Sequence, residues 1–166
     1  MAVLDGGWQA WLDAGGAVEQ GPAAVPAPTQ FALRESCVTL RHTREVQAGL
    51  NSPQQTLIDA RGAPRYRGEV EPLDPVAGHI PGALNRPFSS NFDERGFFKS
   101  PEVLRAEFVS LLGSSDPAHV VHHCGSGVSA VPNVLAMEIA GLGRTALYAG
   151  SWSEWCNTPG LPVAKR

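Results

Sequence analysis

The sequence lacks any long uninterrupted apolar run. Its 166 residues contain no stretch close to the ~18 consecutive apolar residues that a membrane-spanning helix requires. Basic residues are also scarce: the sequence has 13 Lys and Arg and 16 Asp and Glu, which gives a formal charge of −3. A nucleic-acid surface is expected to carry a basic patch, and a signal peptide a basic and then an apolar region at the N-terminus. These absences predict a cytoplasmic protein with neither membrane nor nucleic-acid partners.

Cysteine is equally scarce, with three residues that cannot all pair within the chain: Cys37, Cys124 and Cys156. None of them belongs to a Cys-x-x-Cys sequence, so the spacing of zinc knuckles and thioredoxin-like redox motifs is missing. We therefore expect no metal site. Glycine and proline, by contrast, are abundant at 18 and 14 residues. This composition is typical of a fold rich in loops rather than of a helical bundle.

A short motif occurs twice, once near each end of the sequence. Residues 3–11 read Val-Leu-Asp-Gly-Gly-Trp-Gln-Ala-Trp, and residues 147–155 read Leu-Tyr-Ala-Gly-Ser-Trp-Ser-Glu-Trp. Each copy has a glycine followed by two tryptophans three residues apart, which places both indoles on one face of a short helix. The alternative is a chance match of nine residues. We interpret residues 1–19 as the tail of a truncated first domain, residues 20–29 as a Pro-rich linker, and residues 30–166 as a complete domain.

Strand patterns and helix patterns alternate within residues 30–166. Short apolar stretches at 37–40, 56–60, 119–122 and 145–148 favour strands, and helix patterns begin at Thr43, Ser100 and Ser129. Residues 62–87 contain five prolines and four glycines and are expected to form a long ordered loop. The alternation predicts an α/β domain with a central parallel sheet flanked by helices.

Cys124 comes directly after a predicted strand and before a glycine-rich loop. In parallel α/β sheets, ligands bind at the carboxyl ends of the strands. Gly125 and Gly127 allow the backbone to curl so that successive N–H groups point to one place, and the following helix adds the positive end of its dipole. Both effects favour a thiolate over a thiol. We therefore predict a nucleophilic Cys124; the alternative is a buried cysteine beside a glycine turn.

Other chemistries that use a cysteine loop fit this sequence less well. A phosphatase loop needs an arginine six positions after the cysteine, where this chain has Ala130, and the Gly-Lys-Ser/Thr of a Walker loop is absent. A cysteine protease needs a histidine base, but His122 and His123 are neighbours on a strand and point to opposite faces. We interpret both histidines as structural. Together with Cys124 and Cys156 they also lack a recognisable metal-ligand spacing.

An ordered set of motifs resembles the catalytic domain of the rhodanese-like sulfurtransferases and covers residues 35–163. The resemblance implies a rhodanese-like fold, a persulfide formed on the nucleophilic cysteine, and no metal or organic cofactor. It also implies that residues 30–166 are the catalytic domain and pack against a first, non-catalytic domain. The motifs are Asp59-Ala60-Arg61, Arg65-Tyr66-Arg67-Gly68, Gly78-His79-Ile80-Pro81-Gly82, Cys124-Gly125-Ser126-Gly127-Val128-Ser129 and Gly150-Ser151-Trp152-Ser153-Glu154-Trp155.

The resemblance extends to the sulfur donor and to the residues that bind it. The neutral loop after Cys124 is similar to that of 3-mercaptopyruvate sulfurtransferases, whereas thiosulfate-type rhodaneses usually carry Arg and Lys there. The family implies that Arg65 holds the donor carboxylate by a bidentate contact and that Ser126 assists proton movement. Arg67 is a weaker candidate for the donor site. The loop residues implied to complete the substrate-binding site are Gly125, Gly127, Val128 and Ser129.

Three functions stay open at this point. The first is transfer of sulfane sulfur from 3-mercaptopyruvate, a small-molecule donor, to cyanide or to a thiol acceptor such as thioredoxin. The second is transfer from thiosulfate to cyanide through the same cysteine. The third is a persulfide carrier or protein-binding module with little turnover. Some 3-mercaptopyruvate enzymes carry a second substrate arginine, and the nearest positions here are Leu73 and Asp74, so the donor preference is open.

Overall fold

The computed structural model describes residues 2–32, 35–36 and 38–165. Five short strands within these residues form one parallel sheet in the order β1–β5–β4–β2–β3. The strands are β1 Thr39–Arg41, β2 Thr56–Asp59, β3 Leu84–Asn85, β4 Val120–His123 and β5 Ala146–Tyr148. The helices are α1 Gly7–Asp13, α2 Thr43–Ala48, α3 Ala63–Arg67, α4 Pro101–Leu112, α5 Val131–Ile139 and α6 Ser151–Asn157, with 3₁₀ turns at Phe88–Asn91 and Pro117–His119. The predicted α/β fold with a parallel sheet is confirmed.

The central position of β4 determines where the site lies. β4 pairs with β2 on one side and with β5 on the other, and all four of its residues are buried. Its register with β2 places Asp59 opposite His123, and the Ala60 amide donates to the His123 carbonyl at 2.8 Å. Because the strands are parallel, the segments that follow β2 and β4 leave the sheet side by side at the same edge.

Two apolar clusters cover the two faces of the sheet. Successive residues on a strand point to opposite faces, and accordingly Val121 belongs to one cluster and Val120 to the other. The first cluster contains Tyr66, Ile80, Tyr148, Trp152 and Trp155, and the second contains Ile58, Leu104, Phe108, Met137 and Ala140. No helix among the described residues is both long enough and apolar enough to cross a membrane.

Several predicted boundaries were wrong. Residues 62–87 are not all loop, because α3 and β3 both lie within them. α5 begins at Val131 rather than at Ser129, with Ala130 at its N-cap and no side-chain cap. At α2 the N-cap is His42, whose amide donates to Glu45 Oε2 at 2.8 Å, and Thr43 is the first helical residue. The Thr43 hydroxyl is instead hydrogen-bonded to Tyr148 Oη at 2.9 Å. Of the strand predicted at 37–40, Cys37 lies outside the described residues and β1 begins at Thr39.

Candidate active site

A cavity of about 190 Å³ opens at the carboxyl edge of the sheet, where the segments after β2 and β4 meet. Cys124 lies in its wall and is only 1% exposed. The cavity therefore gives a small molecule a route to this thiol. Its lining comprises Ala60, Arg61, Gly62, Arg65, Leu73, Asp74, Phe88, Cys124, Gly125, Ser126, Ser129 and Ser153.

The start of α6 fixes the backbone on which Cys124 sits. The Cys124 carbonyl accepts from the Trp152 amide at 2.9 Å, and the Gly125 carbonyl accepts from the Ser153 amide at 2.8 Å. The Cys124 amide donates to Ser151 Oγ at 3.1 Å. Ser151 itself has a positive φ of 55°, a conformation that a non-glycine residue rarely adopts. The second copy of the repeated tryptophan motif thus supports the cysteine loop directly.

Gly127 shapes this loop through its backbone alone. Its φ is +83°, and a Cβ atom at this position would lie 2.3 Å from the Ala149 carbonyl oxygen. Only glycine satisfies both conditions. Gly127 does not line the cavity, and neither does Val128, whose side chain is exposed. Their predicted place in the donor site is therefore not a side-chain contact with the cavity.

The loop leaves a run of hydrogen-bond donors unused. Within the described part of the chain, the backbone N–H groups of residues 125–130 donate to no acceptor. The hydroxyls of Ser126 and Ser129 line the cavity and also have no partner among the described residues. Backbone amides and hydroxyls in this number suit an anion on or beside the Cys124 sulfur.

Arg65, in the last turn of α3, packs against the cysteine loop. A Cβ atom on Gly125 would lie 3.3 Å from Arg65 Nη1. The rest of the guanidinium is engaged by two carboxylates: Glu71 accepts from Nε at 3.2 Å and from Nη2 at 2.6 Å, and Asp74 accepts from Nη2 at 3.2 Å. Among the described residues, none accepts a hydrogen bond from Nη1. Nη1 is therefore the part of Arg65 available to a bound donor.

Arg61 is the buried guanidinium of the same network of charged side chains. It donates to Asp59 at 2.6 Å and to Glu71 at 3.2 Å, and its guanidinium lies 4.7 Å from the ring centroid of Trp152. Glu71 thereby bridges Arg61 and Arg65. Burial by itself would raise the pKa of Glu71, but hydrogen bonds from Arg65 and from the backbone amides of Leu73 and Asp74 outweigh it, so this pKa is lowered. Glu71 is thus a permanent anion at neutral pH.

The structure brings together most, but not all, of the predicted site residues. Arg67 lies outside the cavity lining and forms an exposed pair with Glu69. Neither His122 nor His123 lines the cavity; both are buried in β4, and burial is the main cause that lowers their pKa, for His122 to about 3. The predicted residues that share the cavity are Cys124, Gly125, Ser126, Ser129 and Arg65.

Sequence reasoning missed Arg61, Asp74 and Ser153 as lining residues. Arg61 had a signal, because it follows the strand predicted at 56–60 and this strand neighbours β4. The sequence signal for Ser153 was weaker and consisted only of its place in the repeated tryptophan motif. Asp74 lies in the segment predicted as loop, where no periodicity fixes the direction of a side chain. Within the described residues, no group of three or more His, Cys, Asp or Glu side chains is placed to hold a metal ion.

Comparison with known sequences gives consistent matches over nearly the whole chain. The family model described as Rhodanese-like domain matches residues 42–158. A probable 3-mercaptopyruvate sulfurtransferase of Pseudomonas aeruginosa is 45% identical over 162 residues, which is 98% of this chain and 57% of the relative. A putative thiosulfate sulfurtransferase, SseB, of Mycobacterium tuberculosis is 38% identical over 99% of this chain and 57% of its own length. The chain thus spans a little over half the length of these relatives.

Solved structures share the fold at lower sequence identity. An anaerobic ergothioneine biosynthesis enzyme from Chlorobium limicola superposes with a TM-score of 0.82 at 24% identity, covering 98% of this chain and 40% of that one. The wild-type structure of EanB gives the same TM-score at 23% identity and the same coverage. At this identity the likeness establishes the arrangement of strands and helices alone.

Proposed function

Because this chain belongs to the family of rhodanese-like domains, we propose that it is a sulfurtransferase that works through a persulfide on Cys124. The observation that carries the proposal is a buried thiol in the wall of a small cavity that also contains the Arg65 guanidinium. Relatives named as 3-mercaptopyruvate and thiosulfate sulfurtransferases support sulfur transfer as the reaction. The preferred donor in this proposal is 3-mercaptopyruvate.

The proposed reaction has two displacement steps. In the first, the Cys124 thiolate attacks the sulfur of 3-mercaptopyruvate, a new S–S bond forms, and the C–S bond breaks with its electron pair passing to carbon. The resulting enolate of pyruvate takes up a proton. The family resemblance implies that Ser126 assists this proton transfer. Unused loop amides stabilise the negative charge that develops near the sulfur. In the second step, a thiol acceptor or cyanide attacks the outer sulfur and restores the Cys124 thiolate.

The neutral loop supports 3-mercaptopyruvate over thiosulfate as donor. Gly125 and Ser126 supply no positive charge, and the Arg61 guanidinium that also lines the cavity is engaged by Asp59 and Glu71. The donor site therefore rests on the partly engaged guanidinium of Arg65. A donor with one negative charge needs less compensation there than a donor with two. Thiosulfate attacked by the same Cys124 is the second candidate, and the 38% identity to a putative thiosulfate sulfurtransferase favours keeping it.

Steady-state sulfur transfer to cyanide, with each donor in separate assays, tests this proposal. We expect Cys124→Ser to abolish turnover with both donors, because no other thiol lines the cavity in the described structure. Cys156→Ser is the matched control and should retain activity. Mass spectrometry after incubation with donor should show one added sulfur atom on Cys124. A persulfide without repeated turnover would instead support the carrier function.

We propose further that residues 1–19 belong to a first rhodanese-like domain and that residues 30–166, beyond the linker 20–29, form the catalytic domain. The two tryptophan motifs support this division. Trp8 and Trp11 are 61% and 41% exposed, whereas Trp152 and Trp155 are fully buried. The same motif therefore contributes to the core in one copy and leaves its indoles uncovered in the other, as expected if the first copy packs within a separate domain.

The proposed acceptor is a small thiol or a dithiol protein of the thioredoxin kind, and the proposed setting is the reducing cytoplasm. Cys124 and Cys156 are both free thiols in the structure, which suits that setting. An acceptor must reach a sulfur inside a narrow cavity, and this favours an extended, unhindered thiol. Turnover with reduced thioredoxin in place of cyanide tests the acceptor.

A further inference from the structure

We propose that Asp74 is a specificity-determining residue: by occupying the outer edge of the Arg65 guanidinium, it disfavours sulfur donors with two negative charges relative to donors with one. The inference rests on the proposed sulfurtransferase function and names the feature that sets its donor class. Asp74 lines the same cavity as Cys124, and its side chain is 7% exposed.

The hydrogen bonds of Arg65 show why Asp74 matters. A guanidinium has five N–H groups. The Nε–H and one Nη2–H donate to the two carboxylate oxygens of Glu71, and Nη2 also donates to Asp74 Oδ2 at 3.2 Å. A donor that binds bidentately at the outer edge needs one N–H from each Nη atom. Asp74 already accepts a hydrogen bond from Nη2. A sulfur donor therefore either contacts Nη1 alone or displaces the Asp74 carboxylate. The bidentate contact predicted for Arg65 is therefore not free in this structure.

The charge balance of the network points the same way. Two guanidiniums, of Arg61 and Arg65, are linked to three carboxylates, of Asp59, Glu71 and Asp74, through contacts of 2.6 to 3.2 Å. The linked group thus has a net charge of −1, and it would be neutral without Asp74. Because Asp74 is almost buried, solvent screens it weakly. Each negative charge on a bound donor is then repelled by Asp74, and thiosulfate carries one charge more than 3-mercaptopyruvate.

The Asp74 side chain is separable from the structural role of its backbone. The Asp74 amide donates to Glu71 at 3.3 Å and the Leu73 amide donates to the same oxygen at 3.2 Å. These bonds hold the 71–74 segment whatever the side chain at position 74. A substitution of Asp74 therefore changes the charge beside Arg65 while the Glu71 clamp on Arg65 stays in place.

The test compares kcat/KM for thiosulfate and for 3-mercaptopyruvate in wild-type protein and in Asp74→Asn. We expect the thiosulfate-to-mercaptopyruvate ratio to rise about tenfold in Asp74→Asn, mainly through a lower KM for thiosulfate, because one repulsive charge pair has been removed. Asp74→Glu keeps the charge and should leave the ratio within about twofold of wild type. Glu69→Gln is the matched control, since it removes the same charge from an exposed residue outside the cavity.

The outcomes separate this inference from the function on which it rests. An unchanged ratio in Asp74→Asn, in a protein that turns over both donors, overturns the role of Asp74 and leaves the sulfurtransferase function standing. A wild-type protein that neither turns over nor acquires a persulfide overturns the function itself. Thermal melting verifies the fold of each variant, and Asp74→Ser, smaller and also uncharged, provides the same comparison if Asp74→Asn does not fold.

Discussion

At the scale of single residues, the cysteine loop depends on a backbone conformation at Gly127 that a Cβ atom at this position would disrupt. Gly127 combines a left-handed backbone with an approach to the Ala149 carbonyl that leaves no room for a methyl group. The clash is with backbone rather than with a flexible side chain. Relief therefore requires movement of either the loop or the segment that joins β5 to α6.

We expect Gly127→Ala to lower the free energy of unfolding by about 2–3 kcal/mol and to reduce turnover strongly. Urea denaturation and the cyanide assay measure the two effects. Gly143→Ala is the control, because Gly143 also has a positive φ, +87°, but no atom lies within 4 Å of the added methyl. That variant should lose about 1 kcal/mol and keep its activity. Equal losses in both variants would contradict the role given to the close contact.

At the scale of secondary-structure elements, the sequence predicted those helix starts that are set by neighbouring residues in the chain. Ser100 caps α4 and Pro101 occupies its first turn, as the sequence indicated. By contrast, Ser129 was wrongly placed at the start of α5, because the preceding loop is shaped by hydrogen bonds from α6, a partner distant in sequence. Pro64 likewise suggested loop but lies in the first turn of α3, where a helix needs no N–H from proline.

The position of Arg65 relative to Asp74 was beyond the reach of sequence patterns for a related reason. Asp74 lies outside the helices and strands, in a segment without hydrophobic periodicity, and its contact with Arg65 joins this segment to the last turn of α3. The predicted cavity residues Cys124, Ser126 and Ser129 had the advantage of one continuous motif. The sheet order, which brings Arg61 beside that motif, follows from pairing of strands that the sequence located but did not order.

Because β4 contains a buried histidine, we expect the free energy of unfolding to depend on pH. Its His122 is fully buried and stays neutral in the folded protein down to a pKa of about 3, whereas the unfolded chain binds the proton near 6.5. The unfolded state thus holds more protons between these values, and the free energy of unfolding falls as the pH falls through this window, by up to ~1.4 kcal/mol per pH unit for this residue.

Urea denaturation at several pH values between about 7 and 5, above the range in which ordinary carboxylates titrate, measures this slope. His122→Gln should be less steep than wild type, because the glutamine cannot take up a proton in the unfolded chain. Val109→Ala, at an exposed position of α4, leaves the buried histidines in place and should keep the wild-type slope. A wild-type stability that is flat over this interval would contradict the buried neutral histidine.

At the scale of the whole molecule, one motif has two different environments. Trp152 is fully buried in the first apolar cluster, its indole donates to the Val76 carbonyl at 2.9 Å, and Arg61 lies over its ring. Trp8 occupies the matching position in the first copy and is mostly exposed. In this chain, only the second copy contributes to the core.

We expect Trp152→Ala to cost about 3–5 kcal/mol of unfolding free energy, as for a large core side chain. Trp8→Ala should change it by about 0.5 kcal/mol or less. Urea denaturation of the 166-residue chain gives both values. A large loss for Trp8→Ala would show that the N-terminal segment packs on the domain far more tightly than its exposure indicates.

The burial of Cys124 has a consequence for how the proposed cargo is presented. Cys124 is 1% exposed, while Ser126 and Leu73, which line the same cavity, are exposed. A sulfur–sulfur bond is ~2 Å long, so a sulfur that the proposed reaction adds to Cys124 on its cavity side would lie nearer the opening than the thiol to which it is attached. In the proposed reaction, the transferred sulfur atom would therefore provide the reach that the Cys124 thiol lacks. Loading would thus bring the reactive sulfur within reach of an acceptor, and delivery would leave only the sheltered Cys124 thiol.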